Sequence, residues 1–194
     1  MTKPGARLPI SPDIEAPPAQ SGTFPRAAIR RVLTLPDPAL ALASLEVDPL
    51  DPAVVALARA LVATMSASPA CVGLAAPQIG ELLRVLCVDV TNHARARSCS
   101  GLVVLANPRI IHRAGNVVRV ESCLSVPHLT GPVARAATVT VEGTVPGTTQ
   151  LVCVTADGLE ARSLLHEIDH LDGHVFPDRM LEASADLGAR RWHV

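Results

Sequence analysis

The chain has 194 residues, 48% of them hydrophobic and 18% charged, with a formal net charge of -1. This supports one globular domain with a substantial core and excludes a chain disordered throughout. Basic residues are not in excess and two Phe, one Trp and no Tyr leave little for a base to stack on, so no nucleic acid is expected as a partner.

Ten of the seventeen prolines fall in the first 52 residues, and 1–26 holds no sustained period of two or 3.6. That predicts a Pro-rich, flexible N-terminal arm followed by a single domain over 27–194. The arm also lacks a charged stretch leading into an apolar core, and the five cysteines are scattered with no Cys-x-x-Cys pair. Both observations point to a reducing, cytoplasmic setting.

Asp51-Pro52 supplies an N-cap and a first-turn proline, and Val54, Leu57, Ala58, Leu61, Val62 and Met65 recur at helical spacing. A first amphipathic helix is predicted there, ending before Pro69. This strongest apolar run, from Ala53 to Met65, contains Arg59 and falls short of the roughly 18 residues that cross a bilayer, so no membrane is expected either.

Strands are predicted at Arg84 to Val90, Leu102 to Ala106, Val117 to Val120, Ala137 to Glu142 and Leu151 to Thr155. Turn signals at Asn107-Pro108, Gly131-Pro132 and Pro146-Gly147 separate them, with no intervening helical pattern, which favours antiparallel pairing. A second helix opens near Asp157, where Glu160 completes a capping-box pattern. It carries Leu164, Leu165, Ile168 and Leu171 on one face and closes at Gly173. The fold expected is α+β: short, mostly antiparallel strands around a central helix, with the first helix packed against the outside. The tail from Glu182 offers only the basic pair Arg190 and Arg191.

Within the second helix, His166-Glu167-Ile168-Asp169-His170 sets two imidazoles one turn apart on one face. Two such groups suit a single metal ion, and a carboxylate beside the first can take a proton from water, so the pattern points to metal-assisted hydrolysis. A solvated His/Glu/His face is the alternative. The third ligand is open on spacing alone. A metzincin-like arrangement would place a histidine where Phe176 stands, and a thermolysin-like one would need Glu182 on a further helix. Cys123 is a third candidate, since a cysteine sulfur is a strong ligand for zinc or iron(II), although free cysteines are commonly just buried. His93, His112, His128, His174 and His193 have no partner at ligand spacing.

Three segments, in order, resemble the signature motifs of the peptide deformylases: Gly73-Leu74-Ala75-Ala76-Pro77-Gln78, Glu121-Ser122-Cys123-Leu124-Ser125, and His166-Glu167-Ile168-Asp169-His170. The similarity extends from about Arg30, where Val32 to Pro38 resembles the family's opening strand and turn, to about Met180. It implies a metal held by Cys123, His166 and His170, with Glu167 as general acid and base. Gln78 and the Leu124 N–H would form an oxyanion hole, and Gly73 and Leu74 would line the substrate backbone. Val72 and Leu159 would belong to a methionine side-chain pocket, and a Glu121–Arg135 salt bridge would brace the metal-ligand loop.

The implied reaction is hydrolysis of the N-formyl group from the formylmethionine of nascent polypeptides, transiently near the ribosome, with release of formate. One divalent ion per chain is implied, iron(II) by expectation, with zinc, nickel and cobalt as alternatives; a monomer is favoured. Cys71 and Ser122 stand where the family usually has glycine. A serine there costs about 1 kcal/mol if φ is positive and nothing if the backbone is extended. These departures keep two other readings open: an amidase or aminopeptidase of altered specificity, and a metal-binding protein without catalysis.

Overall fold

A computed structural model of the chain describes residues 28–181 apart from Pro69 and Asn92. The predicted arm, the domain start at Ala27 and the tail from Glu182 lie outside those residues.

Helix α1, Pro52–Ala67, forms as its sequence predicts. The Asp51 carboxylate accepts from the Ala53 N–H at 2.8 Å, and all six apolar residues of the predicted stripe are buried. Helix α2 spans Gly158–Leu171 and closes in a Schellman arrangement. Gly173, at φ +77°, donates to the His170 carbonyl, and His174 donates to that of Asp169. The predicted capping box does not form. The Asp157 carboxylate accepts instead from the Ser98 N–H, while Glu160 accepts from the Ser98 hydroxyl and the Ser100 N–H. A distant loop thus takes the place of the local motif: it donates to both carboxylates, and the Ser98 hydroxyl accepts from the Asp157 N–H that Glu160 was expected to satisfy.

Five strands form one antiparallel sheet: β1 Gly73–Ala75, β2 Val85–Val88, β3 Val103–Ala114, β6 Thr138–Thr144 and β7 Leu151–Asp157, ordered β1-β2-β3-β6-β7. Strands β4 Val117–Cys123 and β5 Val126–Arg135 pair separately as a hairpin. Every residue of β2 is buried, because both faces of this end are covered. Cys87 Sγ lies 3.7 Å from Met65 Sδ of α1, so the Leu74/Cys87 face turns toward α1. The opposite face carries Gly73, which abuts Glu167 of α2. Strands β6 and β7 alternate buried with more open positions, as a one-sided sheet must.

Two expected turns are not turns. Asn107-Pro108 lies inside β3, at a register shift between Ala106 and Arg109; the irregularity accommodates the proline, and the Asn107 side chain bonds both the N–H and the carbonyl of Val47. Gly131-Pro132 lies inside β5; on the edge away from β4, Val133 bridges Met180 and the Pro132 carbonyl accepts from the Leu181 N–H, a pairing that calls on no N–H at 132, so the proline is tolerated there. Pro146-Gly147 is the turn expected between β6 and β7, with Gly147 at φ +83°. Val32 to Pro38 is not a strand. Its N–H groups tie other parts together instead: Leu33 donates to the Gln78 carbonyl and Leu35 to that of Ser125.

Candidate metal centre

The end of β4, one face of α2 and the turn after β1 meet at one point. Cys123 is the last residue of β4, paired with Val126 across the turn Leu124-Ser125. Its Sγ lies 3.2 Å from His170 Nε2, and the ligand atoms of Cys123, His166 and His170 all fall within 4.8 Å of one another. Phe176 is buried and stacked on the His166 ring at a centroid distance of 6.4 Å, so it supports a ligand instead of replacing one. Cys123 is the third member that the structure brings to the pair.

The donor set fits a divalent ion. One sulfur and two imidazoles are ligands suited to zinc and iron(II). Burial, reinforced by His166 and Arg135, pushes His170 down to about 3, so it is neutral at pH 7 and free to ligate. Burial also acts against a charged His166, but hydrogen bonds to Cys123 and Glu121 outweigh it and raise the group to about 10. The surroundings therefore favour positive charge at this point. His166 Nδ1 sits 2.9 Å from Glu121 Oε2, which leaves Nε2 to face the centre.

Behind the ligands runs a buried ionic chain. Arg135 reaches both oxygens of Glu121, at 2.6 and 2.9 Å, and its remaining terminal nitrogen reaches Asp169 Oδ2 at 2.7 Å; Arg179 meets Asp169 Oδ1 at 3.1 Å. Burial would raise Glu121, yet the bonds from His166 and Arg135 win and hold it down to about 2. The Glu121–Arg135 pair was expected. Asp169 and Arg179 were not assigned a role, although Asp169 lies inside the very motif that carries the histidines.

Glu167 is buried, and burial raises it to about 7 despite His166 and Arg135. Among the described residues its Oε2 has no hydrogen-bond partner. A Cβ on Gly73 would lie 2.6 Å from Glu167 Oε1, so only glycine lets this strand pass so close to the carboxylate. Gln78 is buried, with Oε1 accepting from the Ala75 N–H at 2.9 Å. This turns its NH₂ end toward Ser125 Oγ at 3.2 Å and Cys123 Sγ at 3.5 Å. Leu124 follows Cys123 in the turn, half-buried. Ser125, whose N–H approaches Cys123 Sγ at 3.4 Å, is a further neighbour that sequence reasoning left out.

The expected substrate-side residues separate. Leu74 is fully buried on the α1 face, so its side chain is turned away from the metal centre and only its backbone lies beside it. Val72 lines a cavity of about 260 Å³ with Met65, Cys71, Asp89 and Thr91. Leu159, half-buried at the start of α2, is not part of that lining. The two departures from the family pattern are absorbed. Ser122 is exposed within β4 and is not among the residues of positive φ, so it carries no left-handed strain. The Cys71 thiol donates to the Gly73 carbonyl at 3.0 Å, and burial, then Glu167, raises it to about 11.

Comparison with known proteins agrees with this geometry. Residues 29–185 match the family model described as polypeptide deformylase. A peptide deformylase of Syntrophobacter fumaroxidans is 37% identical over 165 residues, covering 85% of this chain and 94% of the relative. One from Dictyoglomus thermophilum is 39% identical over 155 residues, covering 79% and 94%. Among solved structures, a peptide deformylase from Legionella pneumophila matches with a TM-score of 0.72 at 35% identity, covering 80% of this chain and 88% of that one. A Met-Ala-Ser-bound class I type b enzyme from Acinetobacter baumannii matches at 0.71 and 30% identity, covering 79% and 99%. A sequence match over four-fifths of the chain, together with a fold that assembles one sulfur, two imidazoles and a buried carboxylate, leads to one conclusion: the chain belongs to the polypeptide deformylase family.

Proposed function

We propose that this chain removes the formyl group from the N-terminal formylmethionine of newly made polypeptides, in the cytoplasm, with iron(II) as the working ion. The observation that carries this reading is the partnerless Oε2 of Glu167, buried beside the Cys123/His166/His170 cluster. Those three residues would hold a divalent ion, which would supply Lewis acidity and lower the pKa of water toward neutrality.

The protein's own groups do the rest. The β1 backbone at Gly73 runs close enough to Glu167 for an extended peptide to pair along it and present its formyl carbon. Glu167 takes the proton of the attacking water and returns it to the departing nitrogen. A carboxyl raised to about 7 is matched to both transfers at neutral pH. The Gln78 NH₂ and the Leu124 N–H hold the negative charge that develops on the formyl oxygen, each worth about 3 kcal/mol of barrier. Glu121 and Arg135 fix the ring orientation of His166.

The binding of Met-Ala-Ser by the Acinetobacter baumannii relative supports a methionine-first peptide as substrate. The test is formate release from formyl-Met-Ala-Ser, prepared anaerobically with iron(II) and separately with nickel or zinc. Glu167→Ala is expected to lower kcat by about a thousandfold while one ion per chain still binds. Undiminished turnover in that variant, or no turnover with any metal, would reject the assignment.

A further inference from the structure

Of the twelve residues from Glu160 to Leu171 of α2, ten are buried; the two that are not are Arg162 and His166. They stand one turn apart on one face. The open strip of helix beside the metal centre is therefore a guanidinium. On β4, Arg119 is exposed two residues before Glu121 and so shares its face, and Glu121 touches His166. Arg119 thus lies one step out along the strand as Arg162 lies one turn out along the helix. Arg162 feels the attraction of Glu121 and the repulsion of Arg119, Arg95 and Arg135.

Apart from Glu167, which is buried against Gly73, the carboxylates at this end are already committed. Glu121 is held by Arg135 and His166, Glu160 by Ser98 and Ser100, and Asp157 by Ser98. Among the described residues none lies within ion-pair distance of Arg162. The loop that brings Ser98 and Ser100 onto α2 also lays Arg97 against Gly158, at 3.6 Å from where a Cβ would stand. A chain whose net charge is only -1 thus gathers arginines into a rim along the open strip of α2 that leads out from His166.

We propose that this rim is a specificity subsite which selects N-formyl substrates carrying a carboxylate close to the formylated end, with Arg162 as its anchor. The inference rests on the deformylase reading and names its substrate class. A half-buried guanidinium presents a planar fork that pairs with a carboxylate through two parallel hydrogen bonds, which an apolar side chain cannot match. The carboxylate can come from the formylated residue itself or from the residue after it.

Three peptides separate these sources: formyl-Met-Ala-Ser, formyl-Glu-Ala-Ser and formyl-Met-Glu-Ser, assayed on the metal-loaded wild type, Arg162→Leu and Arg162→Lys. The expected result is that at least one acidic peptide matches or exceeds formyl-Met-Ala-Ser in kcat/KM for the wild type. Its value relative to formyl-Met-Ala-Ser should fall about tenfold or more in Arg162→Leu, mainly through KM, and recover in part in Arg162→Lys. If both acidic peptides are tenfold poorer for the wild type and the ratios do not move in Arg162→Leu, the rim is not a carboxylate subsite. Turnover of formyl-Met-Ala-Ser reports separately on the deformylase reading. Calorimetric binding of unformylated Glu-Ala-Ser and Met-Glu-Ser against Met-Ala-Ser reads the rim without turnover; weaker binding of both acidic tripeptides by the wild type would overturn the proposal.

Discussion

Helix α1 buries half of its residues and α2 most of its own, yet the two are held by different forces. Helix α1 hides Val54, Leu57, Leu61, Val62 and Met65, side chains that ask only for area. Helix α2 hides Glu160, Glu167, Asp169 and His170 beside its leucines, and among the described residues each of these except Glu167 is spoken for by a directed bond. Area burial tolerates exchange of one aliphatic for another, whereas a buried ionic chain fails as a unit. The lesson is that stability and chemistry are separated here by element: one helix supports the sheet, and the other spends its interior on groups that a folded core would otherwise avoid.

Four measurements sharpen that contrast. The largest effect is expected for Arg135→Leu, which strands Glu121 and Asp169 without their partner: a loss of about 3–5 kcal/mol in urea unfolding, with metal affinity lower by about 10–100-fold. Leu61→Ala on α1 should cost about 2–4 kcal/mol by the same assay but leave metal affinity where it was. Equal metal loss in the two variants would break the comparison. Acid comes next. Glu121 is held at about 2 in the fold against 4.5 for its ordinary value, so its contribution is complete above 4.5 and drains away as pH falls toward 2. The urea midpoint should decline through that window in the wild type and far less in Arg135→Leu. The smallest effect is that of Asp51→Ala, which removes the α1 cap bond and should cost about 1 kcal/mol, read as a small drop in Tm with turnover unchanged.

Both helices were legible in the sequence because their signals are local: a cap, a 3.6 period and, for α2, a glycine stop. The ligand pair was legible for the same reason, since four residues on a helix is a fixed distance. Legibility failed where a local signal had a distant answer. Asn107-Pro108 and Gly131-Pro132 carry turn chemistry, but one sits at a strand irregularity pinned by Val47 and the other in a hairpin whose far edge needs no donor. Glu160 has the spacing of a capping partner and bonds a loop some sixty residues away instead. Around the metal centre, Asp169, Arg179, Ser125 and Phe176 went unassigned because their partners are set by tertiary packing. The roles of Glu121 and Arg135 came only through the family resemblance, whereas the fold now gives their contacts directly.

The segment from Leu33 to Ser44 bonds three carbonyls that belong to three walls of the metal centre: Gln78 after β1, Ser125 in the hairpin turn, and Leu171 at the end of α2. Its first partner is made soon after it, but its last follows about 130 residues later, on the order of ten seconds of chain elongation. During synthesis the partners of this early segment therefore arrive in turn, Gln78, then Ser125, and last Leu171, whose seam stays open until the ligand helix has been completed. A chain released before Leu171 contains Cys123 and both histidines and still lacks the bond that seats their helix, so assembly of the centre is a late event in the making of the protein.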